Sequence, residues 1–130
     1  MSQSANEITA ALLIAIPKRF PGVRVWRQNT GGGVGMSTVH QAVALIRSGM
    51  YAQAIKLLTS RPMTWGIEGC GDISGIGPGG RRIEIEVKAG RDRQSEAQKN
   101  FERMIKDLGG VYLIARDVEG TLELLAEALK

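Results

Sequence analysis

Cysteine occurs once, at Cys70, and histidine once, at His40. A single thiol closes no internal disulfide, so a reducing cytoplasmic compartment is expected, and the usual Cys and His ligands of a structural zinc site are too few. Long apolar runs are missing too. The segment ALLIAI is short and lacks the flanks of a signal peptide, and no run reaches the ~18 residues that a membrane span requires, so no membrane partner is expected. The glycine-rich stretch NTGGGVG lacks dinucleotide-binding spacing and is not followed by Gly-Lys-Ser/Thr, so it reads as a flexible connection. No internal repeat, low-complexity segment or domain-splitting linker is visible.

What remains is an ordinary globular composition, 43% hydrophobic and 23% charged over 130 residues, which predicts one domain. Lys and Arg number 17 against 13 Asp and Glu, a formal net charge of +4 with a pI near 9.6. That excess permits a polyanionic partner without demanding one. It gains weight because Arg81, Arg82, Lys88, Arg91, Arg93, Lys99 and Arg103 crowd the segment that also carries the acidic residues considered below.

Ser4-x-x-Glu7 reads as a capping box opening a helix with Ile8, Leu12, Ala15 and Ile16 in line, ended by Pro17 and Pro21. Residues 23–28 alternate as a strand. Residues 38–60 read as a helical hairpin inserted after that strand, its first helix capped by Thr38-x-x-Gln41 with His40 exposed, its second ending before Pro62. Residues 72–76 form a short strand, GPGG a turn, and 82–89 the clearest strand of the chain. Ser95-x-x-Gln98 opens a helix with Phe101, Met104, Ile105 and Leu108 at helical spacing, stopped by Gly109-Gly110; a strand at 111–115 and a helix at 119–129 follow. This order predicts an α/β fold, a mixed sheet flanked by helices on both faces.

Alternation along 82–89 puts Ile83, Ile85 and Val87 on one face and Glu84, Glu86 and Lys88 on the other. Alone, this is a half-buried strand with a solvated outer side, and Glu84 reads as a surface charge. Asp72 changes the picture, because the GPGGRR hairpin can bring it beside Glu86. Two adjacent carboxylates need positive charge between them. Magnesium, which takes oxygen ligands and is often held by one or two carboxylates, answers that need, with Lys88 one pleat away. Cys70 has no base beside it and is not expected to be a nucleophile. Trp26 and Trp65 read as packing residues.

Gly71-Asp72, then Glu86-Val87-Lys88, then Gln98 in the next helix resembles the PD-(D/E)XK nuclease superfamily, and more narrowly the VRR-NUC (virus-type replication-repair nuclease) family. The resemblance runs from about Glu7 to the end and is weakest over 34–65; Gly71 stands where a proline is frequent. It implies a restriction-endonuclease-like core of helix, three strands, helix and strand, within a single nuclease domain over 1–130. It also implies a Mg2+-dependent endonuclease, with Mn2+ able to substitute, hydrolysing phosphodiester bonds of DNA.

The implied metal ligands are Asp72, Glu86 and the backbone carbonyl of Val87. Lys88 would orient the attacking water and stabilise developing charge. Gln98 and Glu7 match further functional positions, although capping boxes account for both. Arg81, Arg82, Arg91 and Arg93 are the expected DNA contacts. Stand-alone relatives resemble Holliday-junction resolvases, which implies branched DNA, a homodimer, and a phage or bacterial recombination and repair setting. The alternatives are a non-catalytic DNA-binding module of the same fold and a nuclease acting on linear or flap DNA.

Overall fold

The structure, a computed structural model, describes residues 3–28, 31–60 and 63–130. Helices α1 (Ala5–Arg19), α2 (Met36–Arg47), α3 (Tyr51–Ser60), α4 (Glu96–Asp107) and α5 (Val118–Ala128) alternate with strands β1 (Arg24–Arg27), β2 (Gly31–Gly33), β3 (Met63–Trp65), β4 (Ile73–Ile76), β5 (Arg82–Val87) and β6 (Val111–Ala115). They form two compact units, one from residues 1–29 and 67–130, the other from 30–66. Among the described residues, no helix is long and apolar enough to cross a membrane.

The larger unit is built on a four-stranded sheet in the order β1-β4-β5-β6. Strands β1, β4 and β5 pair antiparallel, whereas β5 and β6 run parallel with α4 as the crossover between them. The sheet is buried on both faces around β5. On one side Ile73, Ile83, Ile85 and Val87 pack with Ile8, Leu12 and Ile16 of α1 and Leu122 and Leu125 of α5. On the other, Phe101 and Ile105 of α4 pack on Tyr112, the two rings meeting edge to face at 6.5 Å between centroids. Each buried Ile or Leu contributes about 1.5–3 kcal/mol, so these layers fix where the charged residues of β5 must sit.

The smaller unit holds the antiparallel pair β2–β3 and the hairpin α2–α3, whose buried residues are the small side chains Ala42 and Ala54. Here the expectations need three corrections. The GGG stretch is a strand rather than a free connection, because main-chain pairing with 63–65 needs no side-chain pattern. Helix α2 starts two residues early, at Met36 after Gly35, so Thr38 lies inside the helix and caps nothing. In the larger unit, α1 runs through Pro17 to Arg19. Proline forfeits one N–H bond near the helix end, while the Phe20 N–H still reaches the Ile16 carbonyl at 2.8 Å. Pro62 and the side chain of Trp65 lie outside the described residues.

Candidate functional site

The turn at Pro78–Gly80 sets the β4–β5 register: Ile76 faces Arg82, Ser74 faces Glu84 and Ile73 faces Ile85. Continuing that register by one residue beyond β4 would set Asp72 across from Glu86, on the same face of the sheet. Asp72 is held there from both sides. Its carboxylate Oδ2 accepts the Val87 N–H at 2.7 Å, and its carbonyl accepts the Gln28 N–H at 2.8 Å.

Glu86 is 1% exposed. Its Oε2 accepts a hydrogen bond from the Tyr112 hydroxyl, and Lys88, 14% exposed, brings Nζ to 2.8 Å from Oε1. That second contact is one of charge alone, since no donor is aligned on Oε1. Burial and the neighbouring Glu86 carboxylate raise the Tyr112 phenol above its ordinary pKa, so it stays a donor at neutral pH.

Glu84 corrects the sequence reading. It is not a surface charge: it is 0% exposed, and the segment before β4 reaches it through the Gly71 N–H. Gly69, at φ +83°, lets that segment approach α4 so closely that a Cβ would lie 2.2 Å from the Ala97 carbonyl oxygen. Glu84 is consequently saturated: Oε2 accepts the Gly71 N–H at 3.1 Å, and Oε1 accepts Ser74 Oγ at 2.8 Å and Arg82 Nε at 2.7 Å. Here the glycine in place of a proline acquires a physical role. A proline at 71 would have no N–H for Glu84, and a Cβ there would lie 2.7 Å from the Ile85 carbonyl oxygen.

The other expected residues are elsewhere or otherwise engaged. Gln98 and Ser95 form a reciprocal capping box, with Gln98 Oε1 accepting the Ser95 N–H at 2.8 Å. Glu7 does the same with Ser4, and hydrogen bonds from the Ser4 backbone and hydroxyl hold its carboxyl below the usual range. Arg81 donates to the carbonyls of Gly109 and Ala128, tying the ends of α4 and α5, and Arg82 pairs with Glu84. Both lie at the start of β5, away from Glu86 and Lys88 at its far end. Arg91 and Arg93 are exposed in the loop after Lys88. Arg116 braces that loop by donating to the Gly90 and Asp92 carbonyls at 3.1 and 3.0 Å. Burial pushes the Cys70 thiol up, against a nucleophilic role.

Glu86 is thus joined by Lys88 and Tyr112, with Asp72 at the neighbouring Val87 N–H; the roles of Tyr112, of buried Glu84 and of Arg116 in bracing the loop were missed by sequence reasoning. Tyr112 had one usable signal: a tyrosine inside the apolar strand VYLIA needs a partner for its buried hydroxyl.

Among the described residues, no group of three or more His, Cys, Asp and Glu side chains is close enough to hold a metal ion. A pair of carboxylates still fits a hard cation such as magnesium, which retains several of its waters. Glu86 Oε1, which has the Lys88 ammonium 2.8 Å away and no other partner, is the oxygen that would face such an ion. Tyr112 would fix which oxygen that is. Tyr112→Phe is expected to keep the packing on Phe101 and cost about 1 kcal/mol of stability; if Glu86 ligates a cation, it should also weaken magnesium or manganese binding roughly 10–100-fold in calorimetric titration. Unchanged affinity would mean that Glu86 is oriented without the phenol. Comparison with protein-family models, curated proteins and solved structures gave no match.

Proposed function

We propose that the chain is a metal-dependent DNA endonuclease of the VRR-NUC type, restriction-endonuclease-like in fold, acting on branched DNA as a homodimer in the cytoplasm of a bacterial or phage-infected cell. The observation that supports this reading is the meeting of Asp72, which accepts the Val87 N–H, with the end of β5 that carries buried Glu86 and its neighbour Lys88. Asp72, Glu86 and the carbonyl of Val87 would hold a magnesium ion. When bound, such an ion supplies Lewis-acid charge for a phosphoryl oxygen and acidifies water. Lys88, beside Glu86, would orient water or meet a phosphate oxygen. Arg91 and Arg93, on the loop braced by Arg116, lie just beyond Lys88 in the chain and offer phosphate contacts. A two-fold dimer suits a substrate cut on two strands.

A second reading keeps DNA binding and drops catalysis. It is favoured by the Lys88 ammonium 2.8 Å from Glu86, which gives the buried acid a counter-ion of its own. One assay separates the two: a synthetic four-way junction and a matched linear duplex, each incubated with the protein in magnesium or in EDTA. The nuclease reading expects cuts near the branch point, in magnesium only. Junction binding with no product in either magnesium or manganese would select the binding module. Equal cutting of both substrates would move the specificity to linear DNA.

A further inference from the structure

The face of the sheet that bears Asp72 and Glu86 is buried at Ser74, Glu84 and Glu86 and exposed along its β1 edge and at Asp72. Helix α4 packs over β6, where Phe101 and Ile105 meet Tyr112. Strand β1, at the opposite edge of the sheet, exposes its side chains on this same face. Trp26 faces Ser74, which faces Glu84, so the indole belongs to the row next to the one holding Asp72 and Glu86. Rows on one face are two residues apart, about 6.7 Å. The sequence reading had Trp26 as packing, yet it is 43% exposed, with exposed Ile76 diagonal to it. One row further on, Arg24 and Arg82 flank Ile76. The Arg82 side chain is about half exposed although it pairs with Glu84, and Arg24, also exposed, donates one guanidinium nitrogen to the Pro21 and Val23 carbonyls. The face therefore runs from acidic to aromatic to basic within three rows.

We propose that this exposed edge of the face binds an unpaired stretch of DNA, with a base stacked on Trp26, its flanking phosphate on Arg82 and Arg24, and the chain leading toward Asp72. A flat indole beside guanidinium groups accepts any base, whereas a paired base offers no free face for it. An apolar protein partner would leave the guanidinium row unmatched. The proposal rests on the nuclease reading and narrows its substrate: the DNA next to the cut is single-stranded, as at a branch point or flap.

The test reads binding without cleavage. In a Trp65→Phe background, so that Trp26 alone emits, a twelve-nucleotide oligo-dT is titrated in EDTA while fluorescence is followed. Quenching is expected with oligo-dT and not with a blunt duplex of equal length. Trp26→Ala should weaken oligo-dT binding about 5- to 100-fold, the range of one base–aromatic stack, and Trp26→Phe should restore most of it. Unchanged emission at saturating oligo-dT, or equal affinity of Trp26→Ala, would overturn the proposal. So would tighter binding of oligo-U, or self-association that Trp26→Ala abolishes, which would give the face to RNA or to a second copy. Because no metal is present, failure here leaves the cleavage reading standing, and loss of that reading leaves a stacked strand intact.

Discussion

Asp72→Asn is expected to abolish DNA cleavage while leaving the fold in place. The side chain is exposed, and its contact in the fold is the Val87 N–H donating to Oδ2 at 2.7 Å. An asparagine carbonyl can accept that hydrogen bond in the same geometry, so urea midpoints should move by no more than the roughly 1 kcal/mol typical of one hydrogen bond. What the amide cannot supply is charge. A cation held between residues 72 and 86 would lose half of its carboxylate neutralisation, and the loss in affinity should exceed the roughly 10–100-fold that follows removal of an outer partner of a metal ligand.

Two measurements check this together: manganese affinity by calorimetry, and cleavage of the four-way junction under saturating magnesium. Parental cleavage by Asp72→Asn would sink the endonuclease assignment. The same experiment on Glu86 would be less clean. Glu86→Gln changes a residue that is 1% exposed, accepts from Tyr112 and pairs with Lys88, so lost activity could follow from lost folding. Asp72 is the position where chemistry and stability separate.

The β4–β5 hairpin, whose far end brings Asp72 to the Val87 N–H, was legible in the sequence because a short glycine-rich turn joins two strands. The burial of Glu84 and Glu86 was not. A strand of alternating apolar and charged residues normally predicts one wet side, and β5 violates that because groups from the segment before β4, from β4 and from β6 enclose Glu84 and Glu86. The groups that make this tolerable are Ser74, Arg82, the Gly71 N–H and Tyr112, which come from three stretches of chain. No periodicity along one strand reveals partners supplied by its neighbours. The helical faces of α4 and α5 were readable for the opposite reason, since their patterns are local. Gly31–Gly33 escaped because a strand without side chains leaves no alternation to read.

The buried acid that sequence reasoning placed on the surface gives the largest expected effect on stability. Glu84 and Arg82 make a lopsided pair, the carboxylate 0% and the guanidinium side chain 47% exposed, 2.5 Å apart. Removing the two partners should therefore cost different amounts. With Arg82→Ala the carboxylate stays enclosed and loses its counter-charge, a situation worth about 3–5 kcal/mol when the remaining ion cannot reach water. Gly71 N–H and Ser74 Oγ still donate to it and soften this toward the lower end. With Glu84→Gln the volume is kept, and an amide oxygen still accepts from one donor. The Arg82 cation swings into solvent, so the loss should be about 1–2 kcal/mol. The double variant removes the stranded charge and should be more stable than Arg82→Ala alone, a sign that simple additivity does not allow. Thermal unfolding resolves the order easily, at about 4–8 °C per kcal/mol for a unit of this size. If Arg82→Ala melts within 2–3 °C of the parent, less than the shift from ~1 kcal/mol, the pair contributes little. The Gly71 N–H would then have to be what keeps Glu84 beneath the sheet and Asp72 in position.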